Sequence, residues 1–314
     1  MSARAIDELP RIGPAAITLG VFDGVHRGHR RVLEATADVA RDLGAAAVAL
    51  VFSPHPDEVI RPGTAVPRLL PPAVTLERLR GAGVDHAVEV RFDAALRELG
   101  PEEFLSALAP AVEVRAITMT PDSAFGRGRS GTFDRVTAIG RDRGFRCVAV
   151  EPERIDGEAV SSSRVRRLLA AGRIEAASAL LDGTPVLRGT VVPGDRRGRE
   201  LGFPTANLAF DYVPQLPALG IYLGSVAVPE RGVGPGHPAL VSVGVRPTFH
   251  DDGRVLVEVY LLDWDGDLYG AELSVELLGR LREERRFESV DALVEQMRAD
   301  EAMVRRRLRL RLLD

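Results

Sequence analysis

Apolar runs and helical patterns alternate along the first half of the chain. Residues 15–22, AAITLGVF, form an apolar run of strand length, and 28–44, GHRRVLEATADVARDLG, read as a helix that ends at Gly44. A second run, AAAVALVF at 45–52, is closed by SPHP, and VDHAVEV (84–90), EVRAITM (113–119) and RCVAVE (146–151) are further strand candidates. Helical stretches at 101–110, near 133–143 and from about Ser163 to Leu181 lie between and after them. Short apolar strands alternating with helices predict a parallel sheet covered on both faces.

The texture changes after LLDGTP (180–185). From Val186 to Gly279 glycine and proline punctuate short alternating runs: LRGTVV, IYLGSVAV, ALVSVGV, RVLVEVYLL and AELSVELL. Such runs, separated by turn signals, predict an antiparallel barrel. SVDALVEQMRADEAMVRRRLRLRLL (289–313) then predicts a last helix with Ser289 as its N-cap. Two domains are expected, 1–183 and 184–314, with the boundary near Gly183.

Composition narrows the function. The 314 residues are 45% hydrophobic with a formal net charge of −4, enough to bury cores and unlike a disordered chain. No run approaches the roughly 18 apolar residues of a membrane span, and MSARAIDELPRIG has no apolar signal core. A soluble cytoplasmic protein with no membrane partner is expected. The single cysteine, Cys147, excludes an internal disulfide and reads as strand packing. There is no lysine, which excludes a Walker A loop and Schiff-base chemistry. The arginines are dispersed and balanced by acids, so no nucleic-acid groove is expected, and RRRLRLRLL reads as the solvated face of the last helix. The sequence leaves self-association open.

Histidine is scarce, six in the chain, yet His26 and His29 stand three apart where a strand gives way to a helix. Ligands of open α/β sheets bind beyond the carboxyl ends of the strands, and a helix N-terminus there favours phosphate. Phe22-Asp23-Gly24 supplies a tight turn, and Gly28 lets a phosphate approach the backbone without a Cβ in the way. Spacing alone also fits a pair of zinc ligands or two solvent-facing helix residues, although no cysteine or third histidine stands at zinc spacing.

GVFDGVHRGH resembles the strand–His-x-Gly-His–helix signature of the nucleotidyltransferases. In its longer form it is similar to the adenylyltransferase module of bacterial bifunctional riboflavin kinase/FAD synthetases. FSPHP (52–56) and VSSSRVR (160–166) match two further segments of that module. The resemblance implies a Rossmann-like α/β nucleotidyltransferase domain. In it Gly20, Phe22, Asp23, Gly24, His26, Gly28 and His29 meet ATP, with the two histidines on its phosphates, and Ser162, Ser163 and Arg166 hold its other side. It also implies flavin contacts from His55, Asp122 and Phe125. The family's Gly-x-Asp/Asn-Phe-x-Phe-Gly stretch reads TPDSAFG here, with Thr120, Pro121 and Ser123 departing from it. Ala159 stands where a basic residue is common.

GRELGFPTANLAF (198–210) places a hydroxyl and an amide, Thr205 and Asn207, on alternate residues. These are hard oxygen donors suited to Mg²⁺ when phosphates supply the remaining charge. On a strand, Leu256, Glu258, Tyr260 and Leu262 share one face, so Glu258 is a carboxylate among apolar neighbours, either at a barrel rim or with a task. GTVVPGD (189–195), GIY (220–222), VGVRPTF (243–249), EVYLLDWDGDLYG (258–270) and RFESVDALVEQMRAD (286–300) follow in the order of the riboflavin kinase module, which this domain resembles. The resemblance implies an antiparallel barrel in which Gly202, Thr205 and Asn207 hold Mg-ATP. Glu258 would meet the flavin and deprotonate the ribityl 5′-hydroxyl of riboflavin. The whole chain would then make FMN from riboflavin and ATP, and FAD from FMN and a second ATP. A narrower alternative is a riboflavin kinase whose first domain is silent, only binds a nucleotide or flavin, or acts on another phosphorylated alcohol.

Overall fold

The computed structural model describes residues 3–181, 183–194, 198, 201–245 and 255–311, with side chains to residue 307. Asp195 of GTVVPGD, the RPTF of VGVRPTF and most of the terminal arginine run lie outside the described residues or side chains. The chain divides into two compact units, residues 1–66 with 72–162, and residues 67–71 with 163–314.

The first unit is built on the expected parallel sheet. Its strands β1 (Gly13–Gly20), β2 (Ala46–Ser53), β3 (His86–Arg91), β4 (Val112–Met119) and β5 (Arg146–Ala149) lie in the order β3-β2-β1-β4-β5, all parallel. The central strands carry near-continuous apolar residues because both faces are covered; Ile17, Val48, Leu50 and Ile117 are fully buried. Order reverses at β1, which has β2 on one side and β4 on the other, so the carboxyl ends of β1 and β4 form the crevice where such sheets bind ligands. The helix after β1 (Arg27–Leu43) buries Val32, Leu33, Thr36 and Ala40 and stops at Gly44, whose φ of +58° makes a left-handed C-cap. Inside that interface the Thr36 hydroxyl donates to the Val32 carbonyl and shares a hydrogen with Thr118 of β4. Short helices at Pro56–Ile60, Pro72–Gly81 and Ala94–Glu98 were not visible as apolar patterns.

The second unit holds a closed barrel. Its strands β6 (Val186–Val192), β7 (Ala206–Ala209), β8 (Gly220–Val228), β9 (Val233–Val245), β10 (Val255–Leu261) and β11 (Glu272–Arg282) close in the order β6-β7-β10-β9-β8-β11. Five of these match the alternating runs. The sixth, β7, lies inside the GFPTANLAF segment, where four residues are too few to show a period. The predicted single helix from Ser163 to Leu181 is two, Ser162–Ala170 and Ile174–Leu181. They part at Gly172, whose φ is +70° and whose missing Cβ would stand 2.9 Å from Arg280 Cδ. The last helix runs from Val290 to Arg311 and starts as predicted, the Ala292 N–H donating to Ser289 Oγ at 3.2 Å. Its Val304 is buried in a small core with Leu223, Leu240 and Leu262.

Candidate active sites

At the carboxyl end of β1 the backbone makes three left-handed steps, Phe22 (φ +52°), Gly24 (φ +89°) and Val25 (φ +41°), before the helix begins. That turn buries Asp23 and brings His26 to the N-cap position, where its Nδ1 accepts from the His29 N–H at 3.3 Å. The two imidazoles stack, with centroids 3.7 Å apart and planes 16° from parallel, and Phe22 meets His29 edge-on at 5.2 Å. Gly20 ends β1 against the Phe22 ring. A Cβ on Gly28 would stand 3.0 Å from the Val160 carbonyl oxygen and 3.2 Å from His26 Nδ1. The sequence reading gave that glycine the task of admitting a phosphate; in the structure its space is taken by its own neighbours, and its first effect is to let the helix start close under residue 160.

Burial, reinforced by the neighbouring His26, pushes the His29 pKa well below its ordinary value. Its Nδ1 is buried with no hydrogen-bond partner. A neutral imidazole whose buried nitrogen has no protein partner, at a helix start on a switch-point crevice, suits donation to an incoming anion. Ser162 joins this cluster, its hydroxyl donating to the Asp23 carbonyl at 2.9 Å. Ser163 and Arg166 belong to the second unit, where Arg166 Nε donates to the Pro67 carbonyl.

The expected flavin contacts take varied positions in the first unit. His55 caps the short helix Pro56–Ile60, accepting from the Asp57 N–H while Glu58 closes the capping box. Phe125 is buried in the core, edge-on to Phe104 at 5.3 Å. Asp122 is exposed just beyond β4. There the Thr120 hydroxyl donates to Asp122 at 2.6 Å and shares a hydrogen with Ser123, also 2.6 Å away. Thr120 and Ser123, two of the three departing residues, therefore make a polar turn with Asp122.

The barrel site is a cavity of about 600 Å³. Asn207 and Glu258 face each other in register across β7 and β10, with Thr205 just before β7. All three line the cavity, as do Gly194 and Gly198. A Cβ on Gly194 would collide with the Asn207 amide, so that glycine leaves room for a donor side chain; one on Gly198 would collide first with the Phe203 carbonyl oxygen, so that glycine lets the chain close just ahead of Thr205. Alternation on β10 is as predicted from Leu256 onward: Val257, Val259 and Leu261 are buried while Leu256, Glu258 and Tyr260 are half-buried, and Val255, expected on the buried face, is half-buried at the strand start. Leu262, assigned to the same face, is buried beyond the strand end in the small core with Val304. Gly202 turns the chain before this segment with φ +83°.

The rest of the cavity lining was not singled out from the sequence. Trp264, Phe287, Leu293 and Met297 belong to it together with Arg282 and Asp300. Asp300 is buried and receives Arg282 through Nε at 3.0 Å and Nη2 at 2.7 Å, with Gln296 donating to the same carboxylate. The available signal was the crowding of aromatic residues into DWDGDLYG and RRFES, both polar loop segments. Among the described residues no group of three or more His, Cys, Asp or Glu could hold a metal ion. The oxygen donors of Thr205, Asn207 and Glu258 are too few to enclose a cation, and suit one that shares phosphate ligands.

Comparison with known proteins matches both halves of the chain. The riboflavin kinase family model matches residues 182–308 and the FAD synthetase model residues 10–164. A bifunctional riboflavin kinase/FMN adenylyltransferase of Pseudomonas fluorescens is 38% identical over 92% of this chain and 91% of its own. The Escherichia coli K12 protein of the same name is 34% identical over 96% and 94%. A crystal structure from Streptococcus pneumoniae, titled as a macrolide-efflux protein, superposes with a TM-score of 0.86 at 29% identity, over 96% of this chain and 97% of that one. Among the described residues no helix is long and apolar enough to cross a membrane. With its parallel-sheet unit, its six-stranded barrel and relatives matched over nearly their full length, the chain belongs to the bifunctional riboflavin kinase/FMN adenylyltransferase family.

Proposed function

We propose that this chain phosphorylates riboflavin to FMN in its barrel and adenylylates FMN to FAD in its parallel-sheet domain, consuming one ATP at each step. The observation that carries the reading is the Asn207–Glu258 pair facing across two barrel strands beside Thr205. In the kinase step Glu258 takes the proton of the ribityl 5′-hydroxyl, whose oxygen bonds to the γ-phosphorus of ATP as the bond to ADP breaks. Thr205 and Asn207 hold the nucleotide's phosphates with Mg²⁺, which when bound neutralises their charge. Domain 184–314 carries this step.

In domain 1–183 a phosphate oxygen of FMN bonds to the α-phosphorus of the second ATP, and pyrophosphate leaves. His26 and His29 bind the phosphates and steady the charge that builds on them, so the step runs by positioning and electrostatics without a covalent enzyme intermediate. Gly20, the Phe22-Asp23-Gly24 turn and Gly28 shape that helix start, and Ser162, bonded to the Asp23 carbonyl, takes the other side of the nucleotide. Asp122 and the polar turn of Thr120 and Ser123 follow β4, the strand beside β1, and would meet the FMN acceptor in the crevice. A kinase-only role is not favoured, since the FAD synthetase match spans 10–164. Dependence on ATP fits a cytoplasmic enzyme.

The test is a time course of purified protein with riboflavin, ATP and Mg²⁺, with the flavins separated by chromatography. FMN should rise and then give way to FAD. FMN that accumulates without FAD, even when FMN is supplied directly, would remove the adenylyl-transfer half; no FMN at all would remove the assignments of Thr205, Asn207 and Glu258.

A further inference from the structure

Trp264 is the chain's only tryptophan and stands in the wall of the barrel cavity. Its ring lies over Gly266, where a Cβ would come within 2.7 Å of the indole. The residue before it, Asp263, is in the left-handed region with φ +53°, a conformation that aspartate tolerates better than most side chains but does not choose unaided. What holds it there is Arg305 of the last helix. Its Nη1 and Nη2 donate to the two Asp263 oxygens at 2.5 and 2.7 Å, while Nε and Nη2 also reach Glu301 at 3.1 and 2.6 Å.

Exposed ion pairs are usually weak, but a fork-to-fork arginine–carboxylate pair inside a three-member network has the geometry that makes one matter. These hydrogen bonds hold the Asp263 carboxyl below its ordinary pKa. Both ends of the contact are anchored. Val304, next to Arg305, is buried with Leu262, next to Asp263. Leu262 in turn donates its N–H to the Pro238 carbonyl and bonds His237 through its own carbonyl. The helix that supplies Leu293 and Met297 to the cavity is thus pinned to the loop that supplies Trp264.

We infer that Arg305 is a positioning residue for the barrel site. By fixing Asp263 it aims Trp264 into the cavity wall, where the indole packs against a flat heteroaromatic ring of a substrate. This rests on the proposed kinase reading, in which both substrates carry such a ring, the isoalloxazine or the adenine. Separate titrations of riboflavin and ATP show which one Trp264 meets.

The experiment uses the full chain with Arg305→Gln, Asp263→Asn and the double variant. Trp264 emission in the free protein should shift to longer wavelength and be quenched more readily by acrylamide. The KM of one substrate should rise about fivefold with kcat within about twofold, a loss of binding common to ground and transition states. The double variant should be no worse than either single one, because each removes the same contact. Arg305→Lys should restore part of the KM but not all, since lysine lacks the fork. Emission, quenching and both KM values unchanged from wild type in Asp263→Asn and in a folded Arg305→Gln would overturn the inference. If the wild type phosphorylates no riboflavin, the functional reading fails instead, and Trp264 emission still decides whether Arg305 sets the loop.

Discussion

At the residue scale, His29 links the helix start after β1 to pH. Its pKa in the folded chain lies well below 6.5, while in the unfolded chain it titrates near 6.5. Between those values the unfolded chain binds more protons than the folded one, so stability rises with pH through this window and is lost on acidification below about 6.5. Thermal melts should show His29→Gln losing less stability than wild type between pH 7 and about pH 5; equal losses would mean that His29 is not buried neutral. Glu258 invites a sharper test. Glu258→Gln should lower riboflavin phosphorylation by about 10²- to 10⁴-fold, the usual worth of a general base, and leave FAD formation from supplied FMN unchanged. The sequence showed where both groups stand, a histidine pair at a strand-to-helix turn and a carboxylate on the half-open face of a strand, while their roles came from the family resemblance. Asp300 was not legible, since nothing local shows that a helix acid will be buried against an arginine 18 positions earlier.

At the scale of elements, the start of the helix after β1 depends on one missing carbon. The space beside Gly28 holds a backbone carbonyl and a buried ring, and neither can swing away. Gly28→Ala should therefore cost about 1–3 kcal/mol, the range for overpacking a core. It should depress FAD formation more than FMN formation, a split that melts and the two assays together would reveal. Equal effects on both activities would place the damage in general stability. Period-3.6 and period-2 patterns located the strands and long helices of both units. They failed where an element was too short to repeat, as in β7 and the helix Pro56–Ile60. They also failed where a glycine broke a continuous pattern, as Gly172 does between two helices that the sequence reads as one. The polar turn at Thr120 and Ser123 shows the same limit: the substitutions were visible, but the hydrogen bonds that join them were not.

At the scale of the molecule, the compact second unit begins at Ser163, whereas the change of texture and the riboflavin kinase match begin near residue 183. Leu169, Ile174, Leu180 and Leu181 are all buried, and the helix Ile174–Leu181 packs on β11. Each such side chain is worth about 1.5–3 kcal/mol when buried. A fragment starting at Ser163 should therefore melt well above one starting at Thr184; equal melting temperatures would show that the two helices add nothing to the barrel. The same unit also includes residues 67–71, where Arg68 donates its N–H to the Val213 carbonyl and accepts from the Gln215 N–H. During synthesis these residues emerge about 145 positions ahead of their partners. At roughly 5–20 residues per second the wait is on the order of 7–30 s. The first unit must mature around a loop whose destination does not yet exist. No single cut in the gene could then hand each half a complete set of its parts.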